Sequence, residues 1–160
     1  MLRILPVISA ITCLALFSCE SGRVYERNSN VGEVWNWDEA QTFELEVSDT
    51  AANYDLFLNV RHYANFGFSN LWVNIRTIFP NGDSTSARVE IPLAESDGQW
   101  IGACSGSLCF RRDLIAVFRK FPQRGLYRFE IEQDTRESEL KGIRDIGIRI
   151  EKVPVSPAAR

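Results

Sequence analysis

Four cysteines and one histidine are the residues of this 160-residue chain best suited to chemistry. Cys104 and Cys109 lie in CSGSLC, close enough for a local disulfide or to offer two soft ligands to a metal. A four-coordinate zinc site needs two more such ligands, and His62 is the only imidazole, so no metal is expected. In an oxidising compartment the pair would bond. Closing so short a loop contributes about 2 kcal/mol in the chain-entropy treatment. Free thiols are the other reading. A Ser-His-Asp triad would have to be built on His62, and no Gly-x-Ser-x-Gly turn accompanies it. A lone histidine at a strand end reads instead as a surface or hydrogen-bonded residue. Glu90, Glu95, Asp97, Glu130 and Glu132 would make a glycosidase only if two of them faced each other across a sugar. Glu130 and Glu132 alternate with an apolar row, which points to a solvated strand face. PNGDSTS lacks the lysine and the spacing of a phosphate-binding glycine loop. No catalytic residue, enzyme activity or small-molecule substrate is therefore expected.

Cys19 carries a different chemistry. Arg3 is a short basic region, Ile4 to Phe17 is apolar apart from Pro6, Ser9 and Thr12, and Ser18 closes the run. That run is short of the ~20 residues a membrane span needs, so residues 1–18 read as a removed export signal. Ordinary signal cleavage after Ser18 would place the bulky Leu16 where a small side chain is required. Leu16-Phe17-Ser18-Cys19 fits the Leu-x-small-Cys pattern of bacterial lipoproteins, with Phe17 bulkier than usual. A plain secreted chain with an incidental cysteine is the competing reading. Lipidation would put diacylglycerol and an N-acyl chain on Cys19, the only covalent group expected and no other cofactor. One acyl chain anchors only marginally, whereas several hold a protein firmly on a bilayer. Residues 19–35, in which the polar ESGRVYERNSN (20–30) follows Cys19, read as a flexible tether from lipid to domain. Residues 36–153 would form the domain and 154–160 a tail.

The elements that must position everything else are strands. TFELEVS puts Phe43, Leu45 and Val47 on one face. NYDLFLNVR does the same with Tyr54, Leu56, Leu58 and Val60, and LWVNIRTIF with Leu71, Val73, Ile75 and Phe79. PNGD is a turn in which Asn-Gly favours positive φ. Ala87, Val89 and Ile91 form the next strand, which Pro92 ends or places at an edge. Tyr127, Phe129 and Ile131 mark another, and Ile146, Ile148 and Ile150 the last. SDGQW reads as a turn into a short strand, and DTRESELKG as a polar loop with one helical turn at Leu140. RDLIAVFRKF is ambiguous: Leu114, Val117, Phe118 and Phe121 sit at helical spacing, while its β-branched and aromatic content favours strand. Short strands at regular spacing predict an all-β fold, an antiparallel sandwich or jelly roll. The charges, 18 Lys and Arg against 21 Asp and Glu, are scattered without a basic stripe, which excludes nucleic acid as an expected partner.

HYANFGFSNLW concentrates aromatics around a glycine. Phe68 reads as a core residue capping the sandwich. Tyr63, Phe66 and Trp72 stay open between core packing and a partner-binding surface, where aromatics anchor proteins or stack on sugars. Trp72 faces away from Leu71 and Val73, so an exposed sheet face there would need a partner.

In order along the chain, NVRHYANFGFSNLWV, FPNGD, DGQWIG, GLYRFEIEQ and GIRDIGIRIEK resemble the GldH family of gliding-motility lipoproteins of Bacteroidota. The resemblance spans about Tyr54 to Lys152. It implies a small β-sandwich lipoprotein of the cell envelope, lipid-anchored at Cys19 and held at the outer membrane on its periplasmic side. It also implies an accessory, non-enzymatic role in the gliding machinery, linked to type IX protein secretion, with other envelope proteins as partners. Members also occur in species that do not glide. The family brings no catalytic motif, and Cys104 and Cys109 are not part of its pattern. An envelope glycan-binding jelly roll is the alternative function.

Overall fold

Antiparallel pairing accounts for every strand in the computed structural model, which describes residues 22–154. The strands are β1 (Arg23–Asn30), β2 (Val34–Asn36), β3 (Gln41–Val47), β4 (Tyr54–Tyr63), β5 (Asn70–Ile78) and β6 (Ser84–Pro92). They continue with β7 (Ala103–Ser105), β8 (Leu108–Arg119), β9 (Gly125–Gln133), β10 (Glu139–Lys141) and β11 (Ile143–Lys152). A five-stranded sheet in the order β1-β11-β4-β8-β7 packs on a four-stranded sheet in the order β3-β9-β5-β6, and β10-β2 forms a small flap. The all-β sandwich expected from the alternation is what the chain forms.

The core follows directly from period two. Phe43, Leu45 and Val47 of β3, Leu71, Val73 and Ile75 of β5, and Tyr127, Phe129 and Ile131 of β9 line one inner face. Leu58 and Val60 of β4 and Ile146, Ile148 and Ile150 of β11 line the other. Each fully buried aliphatic or aromatic side chain contributes about 1.5–3 kcal/mol relative to exposure. The wholly apolar row of β11 is thus a principal source of stability. Phe121 joins the two sheets, its ring 5.1 Å from Tyr54 and 4.8 Å from Tyr127.

Two expectations are corrected. The tether assigned to residues 19–35 is ordered structure from Arg23 onward. RVYERNSN is edge strand β1, paired along its length with β11. Its polarity has a cause. Glu26 lies opposite Arg149 and accepts hydrogen bonds from Arg149 Nη1 at 2.6 Å and Asn59 Nδ2 at 2.9 Å, and Arg112 is a further ion-pair partner. The outer face of this sheet is therefore a charged network, and its edge strand is polar because it completes that network. The polar loop assigned to DTRESELKG likewise contains β10, not a helical turn. Leu140 sits opposite Trp35 and both are fully buried.

The ambiguous segment RDLIAVFRKF lies largely within β8, with a displaced register. Leu56 pairs with Ala116 and Tyr54 with Arg119, so Val117 and Phe118 together face Asp55. This bulge breaks the alternation and produces the helix-like spacing.

Candidate functional site

The sandwich has two unlike ends. Gly22, where the described chain begins, accepts the Lys152 N–H through its carbonyl at 2.7 Å, so the chain leaves toward Cys19 at what we term the basal end. Cys19 itself, the expected lipid attachment site, lies outside the described residues, as does the leader. HYANFGFSNLW turns between β4 and β5 at the opposite, distal end.

The distal loop is built around a buried aromatic. The Phe66 N–H donates to the Tyr63 carbonyl at 2.9 Å, closing a turn, and the Tyr63 N–H donates to Gly142 O at 2.9 Å, tying the loop to the start of β11. Phe66 is 6% exposed and packs 5.8 Å from the His62 ring and 5.5 Å from that of Phe68. Gly142 makes room for it: φ is +94°, and a Cβ there would stand 2.9 Å from Phe66 Cδ2. Phe68 is 45% exposed. The reading of Phe68 as core is thus reversed, and Phe66 leaves the candidate surface for the core. The physical reason lies in Gly142, whose missing side chain leaves the space that Phe66 fills, while Phe68 packs its ring against the outer side of Phe66 at 5.5 Å.

Phe68 stands between two clefts. One, about 870 Å³, runs between Tyr63, Asn65, Gly67 and Phe68 on one side and Glu137 to Gly142 on the other. The second, about 550 Å³, joins Phe68 to Trp72, Arg88 and Asp134. Trp72 is half-buried, and the Arg88 guanidinium lies 4.1 Å from its ring centre while Arg88 Nε contacts Asp134 Oδ2 at 2.5 Å. Of the three aromatics proposed for recognition, Tyr63 borders the first cleft, Trp72 the second and Phe66 neither, while Phe68, which was not among them, connects the two clefts. The arrangement offers an aromatic anchor with carboxylates and cations on its rim, which suits docking of a protein segment.

His62 is fully buried, not on the surface. Its Nδ1 lies 2.9 Å from the Tyr63 carbonyl, which assigns the proton to Nδ1, and Nε2 meets no hydrogen-bond partner. Trp100 packs edge-on at 4.5 Å. Burial holds the imidazole below its usual value, opposed only by the Tyr63 carbonyl. Glu90 accepts a hydrogen bond from Asn70 at 2.6 Å, and Glu130 pairs with Arg76 at 3.7 Å, as solvated strand-face residues do. Among the described residues no three of His, Cys, Asp and Glu converge as a metal site. Cys104 and Cys109 lie directly opposite each other in the β7–β8 hairpin, joined by a disulfide with the Cα atoms 4.0 Å apart.

A gliding motility lipoprotein GldH homolog of Christiangramia forsetii is 32% identical over 152 residues, covering 91% of this chain and 93% of that protein. Gliding motility lipoprotein GldH of Flavobacterium johnsoniae is also 32% identical over 152 residues, covering 91% and 94%. Among solved structures, a chain of the infectious bursal disease virus Gx strain overlaps with a TM-score of 0.30 and 11% identity, spanning 83% of this chain and 31% of that one, too loose a likeness to carry any argument. The sequence model of the GldH lipoprotein family matches residues 23–150, β1 through the buried core of β11, and the chain belongs to that family.

Proposed function

We propose that the chain is a non-enzymatic docking part of the gliding apparatus, coupled to type IX protein secretion and tethered through acylated Cys19 to the outer membrane, facing the periplasm. One observation carries the reading: the chain exits toward Cys19 at the basal end, while the aromatic anchor Phe68 and its two clefts lie at the distal end. A lipid anchor at one end presents the other to proteins in the periplasm, and confinement to a surface raises the local concentration of such partners. The family's name, gliding motility lipoprotein, supports the anchoring and the process served.

The test is complementation in the native host. A deletion strain carrying Phe68→Glu, a substitution at an exposed site, should make stable lipidated protein yet glide and secrete poorly. Full gliding and secretion by that strain would remove the distal end from the mechanism. The glycan-binding alternative is less favoured, because Arg88 already occupies a face of Trp72 that a sugar ring would need. A glycan-array signal lost on Trp72→Ala would reinstate it.

A further inference from the structure

We propose that the basal end of β8 and the residue after it, Val117 to Lys120, rest on the lipid surface to which the chain is anchored. This deepens the anchoring reading above and rests on it. The placement follows from one row of backbone partners. Gly22 bonds Lys152, Lys152 is opposite Tyr54 on β4, and Tyr54 is opposite Arg119 on β8. The point where the chain departs toward Cys19 and the β8 tip therefore share the basal end of one sheet. Three strand spacings separate them, about 14 Å at ~4.8 Å each. Cys19 precedes Gly22 by three residues, a reach of about 10 Å at full extension. An acylated Cys19 thus brings this end of the sandwich to the headgroups.

What stands at that end has the character of a membrane contact. Val117 is 51% exposed and Phe118 is 65% exposed, the most exposed large apolar side chain among the described residues. Phe118 has φ of +50°, a region bulky side chains avoid. Its N–H donates to Asp55 Oδ1 at 3.0 Å, which holds the bulge in place. The core does not use this ring. Val24, next to the start of β1, and Leu126, next to the start of β9, are also exposed toward the basal end.

The charges agree. Arg119, Lys120 and Arg124 are exposed, and among the described residues none has a carboxylate within ion-pair distance. From Leu114 to Phe129 the chain holds no acid, although its overall charge is −3. Of the nearby carboxylates, Asp49 pairs with Lys152 at 2.6 Å, Asp83 accepts from the Asn81 amide at 2.6 Å and Asp55 from the Phe118 N–H, while Glu46, opposite Leu126 on β3, keeps its charge beside this end. An apolar wedge with a cationic collar is the pattern of a surface-seated segment on anionic lipid.

The experiment uses the lipidated full-length product in vesicles of phosphatidylethanolamine and phosphatidylglycerol. With Cys19 acylated and Cys104–Cys109 bonded, Phe118→Cys supplies a single thiol for a spin label. Val117→Cys, which keeps Phe118, is a second position, and Phe68→Cys is the distal control. Power saturation with oxygen and with a nickel chelate should give a several-fold higher oxygen-to-nickel ratio at 117 and 118 than at 68. Equal, water-like ratios in protein that floats with the vesicles would overturn the tip contact, leave the anchor standing and assign this surface to a protein partner. Protein that fails to float would overturn both.

Discussion

Glu26 is the residue through which β1 belongs to the domain, and replacing it tests that placement. Its side chain is 18% exposed and receives Arg149 Nη1 at 2.6 Å, Asn59 Nδ2 at 2.9 Å and the Arg112 guanidinium. Arg149 is 7% exposed at its side chain and keeps Glu151 Oε1 at 2.5 Å. A hydrogen bond to a charged group contributes about 1.5–3 kcal/mol. Leaving a buried charge without its partner costs about 3–5 kcal/mol, lessened here because Glu151 remains. Glu26→Ala should therefore lower unfolding free energy by about 2–3 kcal/mol at neutral pH, read by urea denaturation with near-ultraviolet circular dichroism. The pH dependence has a definite sign. Burial alone would raise the Glu26 carboxyl, but hydrogen bonds from Arg149 and Asn59 and the charge of Arg112 hold it below the usual range. Its stabilisation is present above an unfolded value of about 4.3 and is lost as pH falls through the lower folded value. The difference between wild type and Glu26→Gln should shrink in that acid window. A neutral-pH loss under about 0.5 kcal/mol, the level of an exposed pair, would refute the network argument.

Three further outcomes follow from the distal end. Gly142→Ala strains a positive φ and presses Phe66, so it should cost about 1–3 kcal/mol and shift the Phe68 ring, visible as a lower melting temperature and altered aromatic chemical shifts. Replacing both Cys104 and Cys109 with serine should remove about 2 kcal/mol and loosen amide protection in the β7–β8 hairpin. Because burial depresses His62, the unfolded chain takes up a proton near pH ~6.5 that the folded chain refuses. Stability is then complete above that pH and declines as pH drops toward the folded value, and His62→Phe should flatten this slope in urea titrations.

Much of the fold was legible because most strands bury one face. Phe43, Leu45 and Val47, or Tyr127, Phe129 and Ile131, announce themselves by alternation. The failures share a cause: residues whose partners are distant in sequence. RVYERNSN carries no apolar stripe because Glu26 and Asn28 answer Arg149 and Asn59 on other strands. β10 offers a single apolar residue, Leu140, whose meaning depends on Trp35. Phe66 and Phe68 exchange roles because Gly142 opens space under one of them. Of the two readings of His62, surface or hydrogen-bonded, the second holds through the Tyr63 carbonyl, and its burial depends on Trp100 and Phe66, which enclose the ring. The β8 bulge mimics helical spacing while turning Val117 and Phe118 outward. The opposition of basal and distal ends lies in strand order alone, which no local pattern encodes.

In the proposed arrangement the two ends of the sandwich meet different surroundings, lipid at one and protein at the other. A photo-crosslinking residue placed at position 68 or at position 118 of the lipidated protein in living cells reads both ends at once. Position 68 should capture a component of the gliding or secretion apparatus, and position 118 should capture phospholipid. A protein adduct at 118 with none at 68 would contradict the account.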